Sequence, residues 1–159
     1  MQRMIPIAAV LAISCVSGLT SVTAAHNAEC EERLREAPIE TVSPPDGWTW
    51  DTLAWSYGLW TGSVTYSDED SYDLATLSIT CSQDAAADMV RKREVRDALD
   101  PSPAIPVIPI GDEVDAFLHA DRPQIVWRKG DAIASLNIDG QADYAAFEEF
   151  ATAINEALP

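Results

Sequence analysis

The strongest constraint on the fold lies at the end of the chain. Tyr144, Phe147, Ala151, Ile154 and Leu158 recur at i, i+3, i+7, i+10 and i+14, with Asp143 placed to cap the first turn. That spacing lines one stripe of a helix of about four turns. A helix with a single apolar stripe needs an apolar surface to lie on, and the rest of the chain has to supply it.

Strand signals supply it. Leu59 to Tyr66 and Tyr72 to Thr80 flank an acidic tip, Ser67-Asp68-Glu69-Asp70-Ser71, and read as a hairpin. In the second arm Ala75, Leu77, Ile79 and Cys81 alternate with Leu74, Thr76, Ser78 and Thr80, and the first set is expected to face the core. Three more strand-like runs follow Gly111, at Val114 to His119, Gln124 to Lys129 and Ala132 to Ile138, with a tight-turn signal in Lys129-Gly130-Asp131. Helices are expected over residues 28–37, where Cys30, Leu34 and Ala37 share a stripe, and over residues 83–99, where Asp84 can cap and Ala86, Met89 and Val90 share a face. Residues 51–57 read as one helical turn capped by Asp51, and Pro101, Pro103, Pro106 and Pro109 as an extended connector. This order predicts an α+β fold, an antiparallel sheet of about five strands covered by helices in an α/β/α sandwich. With 159 residues, 47% of them hydrophobic, the chain suits one packed domain over residues 26–159.

Residues 1–25 stand apart. Arg3 precedes a mostly apolar run from Ile5 to Val16 and a small-residue exit ending in Val22-Thr23-Ala24-Ala25, the pattern of a secretory signal peptide. Ser14, Ser17 and Gly18 break the run short of the roughly 20 apolar residues that a membrane-spanning helix needs. Cys15, after Leu11-Ala12-Ile13-Ser14, loosely matches a lipobox and offers an alternative in which the chain is lipid-anchored there. Either route places the domain outside the cytoplasm, secreted or held on the outer face of the membrane. Export in turn permits a disulfide between the two remaining cysteines, Cys30 and Cys81.

Charge narrows the partners. Ten Lys and Arg face 26 Asp and Glu, a formal net charge of −16, which disfavours nucleic acid and anionic membrane surfaces, except through a lipid on Cys15. All the acidic residues fall after residue 25 while Arg3 falls before it, so the exported part is more acidic than the whole. Arg91, Lys92, Arg93 and Arg96 gather on the predicted helix 83–99. They are expected to form i±4 pairs, Asp88 with Lys92 and Asp97 with Arg93, or to mark a docking face for an acidic partner. Asp112, Glu113 and Asp115 read as caps or solvated residues at a strand entry.

Few constellations could carry chemistry. Trp48, Trp50, Trp55 and Trp60, four of the chain's five tryptophans, stand close to one another with Tyr57 among them. They are either core, with Trp55 and Trp60 filling it and Trp48 and Trp50 packed over it, or a binding surface for a protein, glycan or apolar ligand, with Trp48 and Trp50 as its exposed members. The acidic tip, with Asp73 beyond it, lacks the ordered spacing of a calcium loop. His26 and His119 are the only histidines; cleavage after Ala25 would expose His26 as an amino-terminal copper chelate that His119 could complete. Neither is accompanied by a nucleophile motif.

The cysteine-bearing first helix, the cysteine-bearing strand running into Asp84-Ala85-Ala86-Ala87, Pro109-Ile110-Gly111-Asp112-Glu113, Trp127-Arg128-Lys129-Gly130-Asp131 and the terminal helix form a layout. Across residues 28–158 it resembles the small actinobacterial cell-envelope proteins of unknown function, often lipoproteins, with a Mog1/PsbP-like sandwich fold. The resemblance implies a non-catalytic sensor, binding or adaptor role and brings no catalytic residues. The expectation is an exported, monomeric, non-catalytic binding or interaction module without a cofactor, meeting an envelope protein, a glycan or a small apolar ligand. The alternatives are a carrier with an apolar pocket between sheet and terminal helix, a copper-binding protein, or a hydrolase.

Overall fold

A computed structural model describes residues 27–68, 71–99, 102–140 and 143–159. The predicted signal peptide, with Cys15, and His26 lie outside them. Alternating strand patterns organise the described chain into one open antiparallel sheet of six strands. These are β1 (Thr49–Ser56), β2 (Leu59–Ser67), β3 (Tyr72–Cys81), β4 (Glu113–His119), β5 (Arg122–Lys129) and β6 (Ala132–Asp139). Their spatial order is β1-β2-β3-β6-β5-β4, so two meanders meet where β3 pairs with β6, Leu77 opposite Leu136. Three helices complete an α+β fold: α1 (Ala28–Glu36), α2 (Ala85–Leu99) and α3 (Tyr144–Ala157).

The expected helical turn over residues 51–57 is instead part of strand β1, the sixth strand where about five were expected. Thr49, Trp50, Thr52 and Trp55 favour a pleated surface, and a lone helical turn is costly to nucleate. Tyr57 and Gly58, at φ 48° and 77°, turn the chain in two residues so that Ser56 pairs with Leu59.

One face of the sheet carries the main core. Val64, Ala75, Leu77, Ile79, Ile125, Trp127, Leu136 and Ile138 point to it and are closed over by Cys30 and Leu34 of α1 and by Phe147, Phe150, Ala151 and Ile154 of α3. Asn27 caps α1, Asp143 caps α3, and the Cys30–Cys81 disulfide fastens α1 to the end of β3. Burying each large side chain here contributes about 1.5–3 kcal/mol. Among the described residues no helix is long and apolar enough to cross a membrane.

After α2 the proline connector runs along the outer edge of β4. Ile105 N donates to Ala116 O and Leu118 N donates to Pro103 O, both at 3.0 Å, so the connector takes up the edge's hydrogen bonds. Ile110, buried, then leads into Gly111 at φ 65°, where a Cβ would stand 2.3 Å from Arg128 O. Only glycine fits there.

Gly111-Asp112-Glu113 and Arg128-Lys129-Gly130-Asp131 meet at this point. Asp112 N donates to Arg128 O at 2.8 Å, and Asp112 Oδ2 accepts from Gly130 N and from Arg128 Nη1 at 2.8 and 3.1 Å. Lys129 Nζ donates to Asn155 O and Leu158 O, closing the carbonyl end of α3, while Asp131 accepts from Asn27 Nδ2 and Ser82 N. These residues hold loops and helix ends together.

Candidate functional site

The opposite face of the sheet is built differently. Strand alternation sends Ser78 and Thr80 of β3, Ile133 and Ser135 of β6, Gln124 and Val126 of β5, and Asp115 and Phe117 of β4 toward α2. The helix answers with Ala85, Met89, Lys92, Arg93 and Arg96, a stripe at i, i+4, i+7, i+8 and i+11 that begins apolar and ends cationic. Ala85, Met89, Phe117, Val126 and Ile133 form a second, small core. Beyond it helix and sheet do not close on each other, and a cavity of about 180 Å³ remains between them.

Its charged groups are held in place. Arg93 donates to Glu113 at 3.1 Å and to Asp115 at 3.4 Å. Arg96 pairs with Asp115 and, at 2.8 Å, with Asp97, and its guanidinium lies 4.5 Å from the centre of the Phe117 ring. Burial works against the Arg96 charge, but its bonds to Asp97 and Asp115 outweigh it and leave the pKa raised. Lys92, exposed at the rim, forms no ion pair among the described residues. Gln124 Nε2 donates to Ser135 Oγ at 2.8 Å, while the Ser78 and Thr80 hydroxyls line the cavity without a protein partner among the described residues.

These pairings correct the expected ones. Asp88 binds Arg91 and accepts from the Ser82 hydroxyl, which with Arg91 holds its carboxyl below the usual range despite burial. Arg93 turns inward to Glu113 and Asp115 rather than to Asp97, Arg96 reaches both Asp97 and Asp115, and Glu113 and Asp115 are ion-pair partners, while Asp112, still half-exposed, pairs with Arg128.

The tryptophans belong to the other face. Trp48 and Trp50, the exposed members in the binding-surface reading, are half-buried and packed over the core. Trp48 stands edge-on to Phe147 with ring centres 5.0 Å apart; Trp50 packs on Phe150 and Trp60 and donates Nε1 to Val42 O at 2.9 Å. Gly62 makes room for them, since a Cβ there would meet the Trp60 and Trp50 rings at 2.6 and 2.8 Å. Trp55 lies under the Arg35 guanidinium, 4.5 Å away, and Tyr57 is fully exposed at the turn, so the five aromatics do not form one surface. Beside Trp48 a groove of about 500 Å³ has Phe147 and Phe150 as its floor and Asp46, Asp143 and Glu149 along its rim.

His119 ends β4, exposed. With His26 outside the described residues, the copper pair cannot be assembled from them, and no group of three metal-ligating side chains occurs among them. Asp68 accepts from Ser71 N and Oγ and closes its own turn; Glu69 and Asp70 lie outside the described residues. The space expected to hold an apolar pocket, between the sheet and α3, is filled by Trp127, Leu136, Phe147 and Ile154.

Sequence reading missed the cavity. It placed Ser78 and Thr80 on the outer face but paired the basic residues with their own helix. The legible signal was the stripe 85, 89, 92, 96, whose inward positions turn from Ala and Met to Lys and Arg. No known protein family, curated protein or solved structure matches this chain.

Proposed function

We propose that this chain is an exported, non-catalytic binding module of the bacterial cell envelope. In this reading it has the Mog1/PsbP-like sandwich fold and takes a small ligand into the cavity between α2 and the sheet. One observation carries the proposal. A helix packed on a sheet normally closes with apolar side chains, whereas here three cations, two free hydroxyls and an aromatic ring surround unfilled space. Binding is favoured over catalysis because Asp115, the carboxylate lining the cavity, is already tied to two guanidinium groups and poorly placed to act as a base. The Cys30–Cys81 disulfide and the signal-like residues 1–25 support export, and the resemblance of residues 28–158 supports the envelope.

Met89 lines the cavity, and the only other methionines are Met1 and Met4. Its methyl resonance, assigned with Met89→Leu, therefore reports on the site. Fractions of an envelope extract added to the ¹³C-methyl-labelled protein are expected to shift that resonance. A Met89 methyl that no fraction moves would dismiss the site.

A further inference from the structure

Resting on the reading of this cavity as a binding site, we infer that its ligand is a small organic anion, a carboxylate carried on a short apolar body. Size sets the first limit. Apolar cavities of about 150 Å³ accept benzene, so the 180 Å³ here suits one ring or a short chain plus a head group.

Polarity sets the second. The apolar walls are Met89, Phe117, Val126 and Ile133, which would cover the body of the ligand. The head group would meet Lys92, Arg93 and Arg96; Asp115 is the carboxylate on the cavity wall, Glu113 and Asp97 hold Arg93 and Arg96 from outside it, and Lys92 is the cation with no ion pair among the described residues. Each guanidinium has five N–H donors in a fixed fork. Arg93 commits Nε and Nη2 to carboxylates, leaving Nη1 with no partner among the described residues. Asp115, shared between both arginines, holds the two forks in position before any ligand arrives, which lowers the ordering cost of binding.

The net charge of the chain, −16, opposes an anion at long range. At physiological salt, charges beyond about 8 Å are largely screened, so the groups around the cavity decide the sign of the ligand, and there Lys92 and Arg93 Nη1 are donors left without an acceptor among the described residues. A neutral ligand would leave Lys92 and the spare Arg93 donors unused, and a cation would be repelled by them.

Four probes of similar size separate these outcomes: benzoate, hexanoate, benzyl alcohol and benzylamine, each titrated into the full chain while the Met89 methyl is followed. Benzoate and hexanoate should bind at least about ten-fold more tightly than the alcohol or the amine, the difference expected for a charge-assisted hydrogen bond. Lys92→Gln, at an exposed position without an ion pair among the described residues, should weaken benzoate about ten-fold and leave benzyl alcohol unchanged. Arg93→Gln should do the same where it folds. Equal or tighter binding of the alcohol or the amine overturns the anion while leaving the binding site standing. An envelope fraction that shifts Met89 while none of the four probes does has the same meaning. If neither probes nor extract move Met89, both the anion and the site fail.

Discussion

The two faces of this sheet are made from the same strands yet solve different problems. Toward α1 and α3, alternate positions are Val64, Leu77, Ile79, Ile125, Trp127 and Leu136, buried against Phe147 and Ile154. Toward α2, the intervening positions are Ser78, Thr80, Gln124 and Ser135, with a small apolar cluster at one end and paired charges at the other. The first face has the density that gives a unique fold. The second is loosely filled and polar, and it can be altered without removing the reason the chain folds. Stability and the proposed recognition are thus separated by one residue of strand register.

The contrast can be broken most directly at Phe147. Phe147→Ala should cost about 3–5 kcal/mol in urea unfolding, and a loss under about 1 kcal/mol would mean that the α3 face is not the main core. Removing the disulfide by Cys30→Ser with Cys81→Ser should cost about 2–4 kcal/mol, because the bridge closes a separation of 51 residues. Unchanged thermal unfolding would show that α1 holds to β3 without it.

Tyr144 gives a smaller, pH-dependent contrast. Its hydroxyl is buried at the margin of the core without a partner among the described residues, and burial, helped by Glu148, pushes its pKa up to about 12 from 10.0. A folded-state pKa above the unfolded one stabilises the fold at pH values below 10, and that contribution is lost as pH rises from 10 toward 12. Tyr144→Phe should flatten this alkaline decline and leave neutral stability equal or higher by up to about 1 kcal/mol; a decline of the same size in the variant would assign it to another group. Least of all should Ser78→Ala matter, changing stability by no more than about 0.5 kcal/mol. A loss above about 1 kcal/mol there would make the α2 face a structural interface after all.

The sequence spelled out the face toward α1 and α3 well. Periodicity marked Ala75, Leu77 and Ile79 as inward and drew the apolar stripe of α3, since burial at intervals of two or nearly four residues leaves a local trace. The Cys30–Cys81 bridge followed from there being two cysteines beyond residue 25. β1 was misread because Asp51 looks like a cap, while the decisive partner, β2, lies across a turn in which a tyrosine takes the left-handed conformation usual for glycine. The cavity was harder still. Arg93 and Arg96 find Asp115 about 20 residues along the chain, and nothing in local spacing announces a contact that only the sheet order creates.

The pairing of β3 with β6 has a consequence in time as well as in space. Each meander consists of strands joined to their sequence neighbours, while Cys81 and Ala132 meet across the whole of α2, the connector, β4 and β5. Local hairpins close quickly, and long-range closure carries the larger entropic barrier. Joining the halves down the middle of the sheet is therefore the closure with the larger entropic cost, and it completes the one main core that both halves share. Amides on that seam should exchange with solvent only when the whole molecule opens, and those of β1 at the outer edge should exchange long before.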